Sequence, residues 1–360
     1  MIQPPEYIRA IQPYVPGKPI EELERELGIP NSVKLASNEN PLGPSPEALK
    51  AIGNSFADLN RYPDGAGYYL KKALSETLSV GEEELILGNG SNELLDIAAR
   101  TFMKEGDEAV MASPSFVVYA MAVQSVGGMS VQVPLKNYTH DLAAMAEAVT
   151  PKTKIIFIAN PNNPTGTFTR NDELDRLMEK VTDEVLVVID EAYYEYVSAP
   201  DYADSMKHFR NGKNILILRT FSKIYGLAGL RIGYGIARKD LLIDMNRLRE
   251  PFNTNSLAQK AALAALGDRE HVANSRRVNE EGKQYLYQEL ASLGISAVPT
   301  EANFIYIPIE DSMAVYHSLL KKGVIIRPMG PKAVRVTVGL PDENRRFIAA
   351  LREVIGRSKA

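Results

Sequence analysis

The chain has 360 residues, 45% hydrophobic and 24% charged, enough for a large core and for more than one folding unit. A net charge of -4 gives no general attraction to nucleic acid or acidic membranes, so neither is an expected partner. The absence of cysteine excludes disulfides and thiolate metal sites and fits a reducing, cytoplasmic setting, and the 4 histidines lack ligand spacing, so no metal is expected.

In chain order, the first 33 residues are rich in proline and charge, with one short helical pattern from Ile20 to Leu27. They read as an N-terminal arm leading into a strand from Val33 to Ala36. The first residues show no basic stretch followed by an apolar one, so no signal peptide is expected. No apolar run is long enough to span a bilayer. Short apolar runs then alternate with helical patterns: Glu84 to Leu87, Glu108 to Ala112, Ile155 to Ala159, Val185 to Ile189, Ile215 to Leu218 and Ile232 to Ala237. Strands apolar on both faces and separated by helices predict an α/β fold with a mostly parallel sheet covered on each side. Pro251-Phe-Asn-Thr-Asn-Ser breaks the pattern. A long helical stretch follows, from Ser256 to about Leu293, then strands at Asn303 to Ile307, Val324 to Arg327 and Val334 to Val338. A closing helix, from about Asp342 to Ile355, is introduced by Pro341. The expected division is an arm over 1–33 packing with the small domain, a large domain over 34–250 and a smaller α+β domain over 251–360.

Ligands of open α/β sheets bind outside the carboxyl ends of the strands. Three expected strands end in chemically loaded residues. Ile155-Ile-Phe-Ile-Ala runs into Asn160-Pro-Asn-Asn163-Pro-Thr-Gly166. Val185-Leu-Val-Val-Ile runs into Asp190-Glu-Ala-Tyr193. Ile215-Leu-Ile-Leu runs through Arg219 to Ser222-Lys223, with Arg231 shortly after. Each has an ordinary explanation, since Asn-Pro and Pro-Thr-Gly form turns and a post-strand Asp often caps a helix. Three such endings in succession make a constellation. An amine at a strand end can form a Schiff base with a carbonyl-bearing cofactor, and a nearby guanidinium can hold its phosphate. Leu85-Ile-Leu-Gly88-Asn-Gly90-Ser91-Asn92 reads as strand, glycine turn and helix start; by itself a structural turn with its cap is the plainer explanation, but such a helix start can also offer free N–H groups to an anion. A dinucleotide fingerprint is disfavoured there, because its third glycine and its acidic partner are missing.

Taken together, Asn-Pro-x-Asn-Pro-Thr-Gly, Asp-Glu-Ala-Tyr, Ser-Lys and Gly-Leu-x-Gly-Leu-Arg-Ile-Gly resemble the fold-type I aminotransferases that use pyridoxal 5'-phosphate. Five further segments narrow the resemblance to the histidinol-phosphate aminotransferases: Pro13-Tyr14-Val-Pro-Gly-Lys-Pro19, Lys34-Leu-Ala-Ser-Asn-Glu-Asn-Pro41-Leu-Gly, Arg61-Tyr62-Pro-Asp-Gly65, Arg219-Thr-Phe-Ser-Lys223 and Arg335-Val-Thr-Val-Gly339. The resemblance covers nearly the whole chain. It implies that Lys223 holds the cofactor covalently and that Asp190 keeps its pyridine nitrogen protonated. Tyr193 and Asn163 would bond the ring hydroxyl oxygen, and Phe116 would stack on the ring. Ser91, Asn92, Ser222 and Arg231 would cradle the phosphate, with Tyr62 reaching the site of a neighbouring subunit in a homodimer. Relatives often carry Tyr at the stacking position and Asp after the serine, where this chain has Phe116 and Asn92.

Arg327 and Arg335 fall on successive late strands, where surface arginine is the plain alternative. Under the resemblance they become clamps on an anionic substrate, with Tyr14 from the arm and Asn163 beside them. Two guanidiniums and a phenol suit a phosphate dianion. The implied reaction, a step of histidine biosynthesis, interconverts L-histidinol phosphate plus 2-oxoglutarate with imidazole acetol phosphate plus L-glutamate. An aromatic amino acid aminotransferase, or both activities in one enzyme, is the alternative. A decarboxylase on the same scaffold and a regulator with an aminotransferase-like sensor are further classes. The short arm, poor in basic residues, speaks against a DNA-binding module.

Overall fold

The computed structural model describes residues 2–357. Its strands are β1 (Val33–Lys34), β2 (Leu85–Gly88), β3 (Glu108–Ser113), β4 (Met129–Pro134), β5 (Thr153–Ala159), β6 (Leu186–Asp190), β7 (Ile215–Thr220), β8 (Gly233–Ala237), β9 (Phe304–Pro308), β10 (Val324–Ile325), β11 (Arg327–Pro328) and β12 (Ala333–Thr337). A 7-stranded sheet runs in the order β2-β8-β7-β6-β5-β3-β4. β8 runs opposite to the other six strands, so its pairings with β2 and β7 are antiparallel and the remaining pairings are parallel. The expected mostly parallel, doubly covered α/β architecture is borne out.

Burial explains the six strands read correctly. Every residue of β6, β7 and β8 is buried, so aliphatic side chains are wanted on both faces. Alternate residues feed opposite cores: Val187, Ile189, Ile215 and Ile217 pack on one side of the sheet, Leu186, Val188, Leu216 and Leu218 on the other. Fully burying such a side chain contributes about 1.5–3 kcal/mol. The unforeseen strand, β4, lies at the sheet edge and buries only Val133, so its composition carries no such signal.

The long helical stretch expected from Ser256 to about Leu293 consists of two helices, Ser256–Gly267 and Arg269–Ser292. Asp268 separates them: it caps the second by accepting from His271 N at 3.1 Å, and its other oxygen receives Ser45 Oγ at 2.6 Å. Such a cap satisfies N–H groups that the helix start leaves free. The strand expected over 324–327 is also divided. Val324 and Ile325 pair with β1, whereas Arg327 and Pro328 turn to β12.

A smaller 3-stranded sheet, β11-β12-β9, packs with the helices Arg269–Ser292, Ser312–Leu320 and Pro341–Arg357 around Ile305, Ile307, Val334, Val336 and Phe347. The arm helix Ile20–Leu27 joins this part through Leu23 against Ala36 and Ile325. Ala258, Ala261, Ala262 and Ala265, by contrast, lie in the core of the large sheet, whereas Leu286 and Leu290, further along, pack in the small core together with Leu35. We propose that the division expected at residue 250 falls instead within the helix Arg269–Ser292. The described residues contain no helix long and apolar enough to cross a membrane.

Candidate active site

A cavity of about 270 Å³ opens at the carboxyl ends of β5, β6 and β7. Its lining includes Tyr14, Ser91, Asn92, Phe116, Asn163, Asp190, Tyr193, Ser222, Lys223, Arg231 and Arg335. Eleven of the thirteen expected site residues thus converge on one space. Tyr62 and Arg327 do not.

Asp190 ends β6 and is buried. Its Oδ2 accepts from the Tyr119 hydroxyl at 2.8 Å and its Oδ1 from Ala192 N at 3.2 Å. Burial lifts its pKa to about 6, against the lowering effect of these donors. A cation facing this carboxylate would reverse that shift, so the position is suited to a protonated heterocycle. Behind it, Glu191 and Arg219 form a buried ion pair, with Arg219 Nε and Nη2 each 2.8 Å from Glu191 Oε2. Ser205 Oγ donates to the other carboxylate oxygen at 2.5 Å, and the Arg219 guanidinium lies over the Tyr194 ring. This pair ties the end of β6 to β7, the two elements that deliver Asp190 and Lys223. Removing one partner of such a pair would strand a buried charge, at a cost of about 3–5 kcal/mol.

Lys223 follows β7, and its Nζ donates to the Ser37 carbonyl at 3.2 Å. Desolvation, then the Arg335 guanidinium, bring its pKa down to about 8. About a tenth of the amine is therefore uncharged at pH 7, far more than for an ordinary lysine, and a nucleophile and a proton carrier both need that form.

The phosphate-like end is built from backbone. The helix Ser91–Phe102 starts after Gly90 with no side chain capping it, leaving its first N–H groups and the positive end of its dipole to an anion. Arg231, in a left-handed conformation at φ 59°, brings its guanidinium against this turn. A Cβ on Gly90 would come within 2.5 Å of Arg231 Nη2, and one on Gly233 within 2.6 Å of Ser91 N. Glycine at both places is what allows the cation and the N–H groups to approach one anion.

On the opposite wall, Arg335 is buried with no carboxylate partner among the described residues. Its Nη1 donates to Asn163 Oδ1 at 2.5 Å and its Nη2 to the Ala36 carbonyl at 2.6 Å, while Nε has no partner. Burial lowers its pKa, the cost of a charge held away from water. An unpaired buried guanidinium with a free donor is a demand for an anion. Arg327 lies next to it in register but outside the cavity. Its Nη2 holds the arm through the Val15 carbonyl at 2.8 Å, and its guanidinium lies over the Tyr14 ring. Within one chain, Arg327 thus positions Tyr14. Tyr62 is 83% exposed and stacks on Phe252, away from its own cavity.

Sequence reasoning missed Tyr119, Ser37, Asn38 and Glu39. Tyr119 sits one helical turn beyond Phe116, and that spacing was a usable signal. Asn38 donates to the Tyr193 hydroxyl at 2.8 Å and through its carbonyl receives Asn303 Nδ2 at 3.0 Å. Its position in an irregular strap gave no periodicity to read.

The family model for class I and II aminotransferases matches residues 30–351. The chain belongs to the class I and II aminotransferase family. This aminotransferase is 53% identical over 356 residues to the histidinol-phosphate aminotransferase of Moorella thermoacetica, covering 97% of this chain and 92% of that one. It is 49% identical over 353 residues to histidinol-phosphate aminotransferase 1 of Nitrosococcus oceani, covering 97% and 95%. Among solved structures it resembles the histidinol-phosphate aminotransferase from Sinorhizobium meliloti in complex with pyridoxal-5'-phosphate. The TM-score is 0.91 at 28% identity, over 99% of this chain and 98% of that one.

Proposed function

We propose that the protein transfers the amino group of L-histidinol phosphate to 2-oxoglutarate with pyridoxal 5'-phosphate as cofactor, forming imidazole acetol phosphate and L-glutamate, as a step of histidine biosynthesis. The observation that carries this reading is the placement of Lys223 between the buried carboxylate of Asp190 and the unpaired guanidinium of Arg335 in one cavity. The 53% identity to the Moorella enzyme supports the choice of substrate.

The residues present fit the cofactor, because the uncapped helix start, Arg231 and Ser222 form an anion cradle facing a buried carboxylate and a depressed amine. Pyridoxal phosphate supplies an aldehyde that condenses with amines and a cationic ring that accepts the electron pair released at the substrate Cα. Lys223 would hold it covalently. The Asp190 carboxylate would keep the ring nitrogen protonated, and Tyr119 holds that carboxylate in its ionised form. Tyr193 and Asn163 would bond the ring hydroxyl, with Phe116 against the ring face. Ser91 and Asn92 would bind the phosphate through N–H groups. Freed when a substrate amine takes its place, Lys223 Nζ would act as the base that takes the proton from the substrate Cα and as the acid that returns it. Arg335, with Tyr14 beside it, would clamp the phosphate of histidinol phosphate or the distal carboxylate of glutamate.

The working unit is a homodimer on this reading. Phe56, Leu59, Tyr62, Tyr68, Tyr69 and Phe252 are all exposed, more large apolar surface than single scattered residues explain. A second copy covering it would bring Tyr62 to its partner's cavity and complete the phosphate cradle. Location in the cytoplasm fits the cysteine-free composition.

The deciding measurement is kcat/KM for histidinol phosphate against phenylalanine, each with 2-oxoglutarate. Preference for histidinol phosphate is expected, and preference for phenylalanine would overturn the substrate assignment.

A further inference from the structure

The strap over residues 36–40 meets three chemistries in succession. The Ala36 carbonyl accepts from Arg335 at 2.6 Å, and the Ser37 carbonyl accepts from Lys223 at 3.2 Å. Further along, Glu39 also lines the cavity. The strap therefore runs from a guanidinium, past an amine, to a carboxylate. Among the described lining residues the only carboxylates are Asp190 and Glu39. Asp190 is buried, with both oxygens engaged by Tyr119 and Ala192. Glu39 stands at the exposed rim. Its Oε1 lies 3.2 Å from Lys34 Nζ, and its Oε2 has no protein partner among the described residues. It is near enough to Lys223 to oppose the lowering of that amine's pKa.

This order matches a substrate with a phosphate on one arm, an amine at its centre and an imidazole on the other arm. We propose that Glu39 determines specificity for the imidazole, with Oε2 accepting a hydrogen bond from a ring N–H while Arg335 holds the phosphate. The inference rests on the substrate reading above and deepens it. Imidazole offers an N–H donor in either protonation state, whereas a phenyl ring offers none. A phenyl ring seated against Glu39 would desolvate the carboxylate without replacing its bonds to water. Glutamate, the other substrate, ends in a carboxylate that only accepts hydrogen bonds. It is drawn to Arg335 and gains nothing from Glu39. An exposed ion pair such as that with Lys34 contributes little to stability, so stability alone is a weak reason for an acid at this rim.

The test is steady-state kinetics of the holoenzyme with histidinol phosphate and with phenylalaninol phosphate, each against 2-oxoglutarate. Glu39→Gln is expected to raise KM for histidinol phosphate about tenfold, the size of one charge-assisted hydrogen bond at a half-exposed site, and to shift KM for phenylalaninol phosphate less than about twofold. Glu39→Asp should recover part of the preference, and Lys34→Met, which breaks the ion pair but keeps the acid, should retain it. Equal changes for the two substrates, or none for either, would overturn the role of Glu39. Failure of the unmodified enzyme to turn over histidinol phosphate is a separate result and would remove the substrate reading itself.

Discussion

The sheet wall and the strap wall of the cavity are built on different physical plans. On the sheet wall, Asp190 and Lys223 stand at or just beyond the ends of neighbouring parallel strands, with Asp190 opposite Leu218 in register and the Glu191–Arg219 pair locking the two ends. On the strap wall, the contacts that matter join residues 299 positions apart, Ala36 with Arg335 and Asn38 with Thr337. The first plan gives rigid placement of the groups that, on the proposed function, move a proton. The second gives recognition by segments far apart in the chain, and only the complete fold sets their distance. Chemistry and selectivity should therefore fail separately when each wall is damaged.

The largest effect is expected on the sheet wall. Lys223→Ala should lower kcat by about 10⁴-fold, since the covalent anchor and the proton carrier are lost together. Bound cofactor should still be detected by absorbance, because the cradle at Ser91 and Arg231 is untouched. Turnover within about tenfold of the parent would place the proton transfer on another group. A smaller effect is expected on the strap wall. Arg335→Ala should raise KM for histidinol phosphate and for 2-oxoglutarate by roughly 10- to 100-fold, the equivalent of about 1.5–3 kcal/mol for bonds to a charged group, with kcat changed far less. A fall in kcat equal to the rise in KM would merge the two walls into one functional unit.

The smallest effect sharpens the link between them. Lys223 owes part of its depressed pKa, about 8, to Arg335. Only the uncharged amine condenses with an aldehyde. The rate at which cofactor-free protein captures added pyridoxal phosphate should thus climb with pH and level off above about 8, well below the 10.5 of an ordinary lysine. At pH 8 it should run at about half its plateau, and in Arg335→Ala the midpoint should move upward. A midpoint unchanged by that substitution would mean that Arg335 has no part in setting the amine.

The two walls also differ in how legible they were beforehand. Aliphatic runs ending in Asn160, Asp190 and Ser222-Lys223 announce a parallel sheet and its ligand-binding edge, because strands buried on both faces leave a strong compositional trace. Gly90 followed by Ser91 announces a helix start for the same local reason. Edge strand β4 left no trace, since one exposed face permits Gln132 and Ser130. The break at Asp268 was hidden because an N-cap within an otherwise helical pattern is also an acceptable helix residue. Arg327 and Arg335 looked equivalent, both following aliphatic residues on late strands. Their difference depends on the arm, which crosses Arg327 and leaves Arg335 facing the cavity.

From sequence alone came the α/β class, the strand ends that carry the amine and the acid, and the glycine turn that opens a helix, because each depends on residues adjacent in the chain. Tertiary structure decided which arginine faces the cavity, which phenol restrains Asp190, and that Glu39 shares a cavity with Lys223. Those outcomes depend on distances between segments far apart in the chain, set when the large and small cores pack together around the strap.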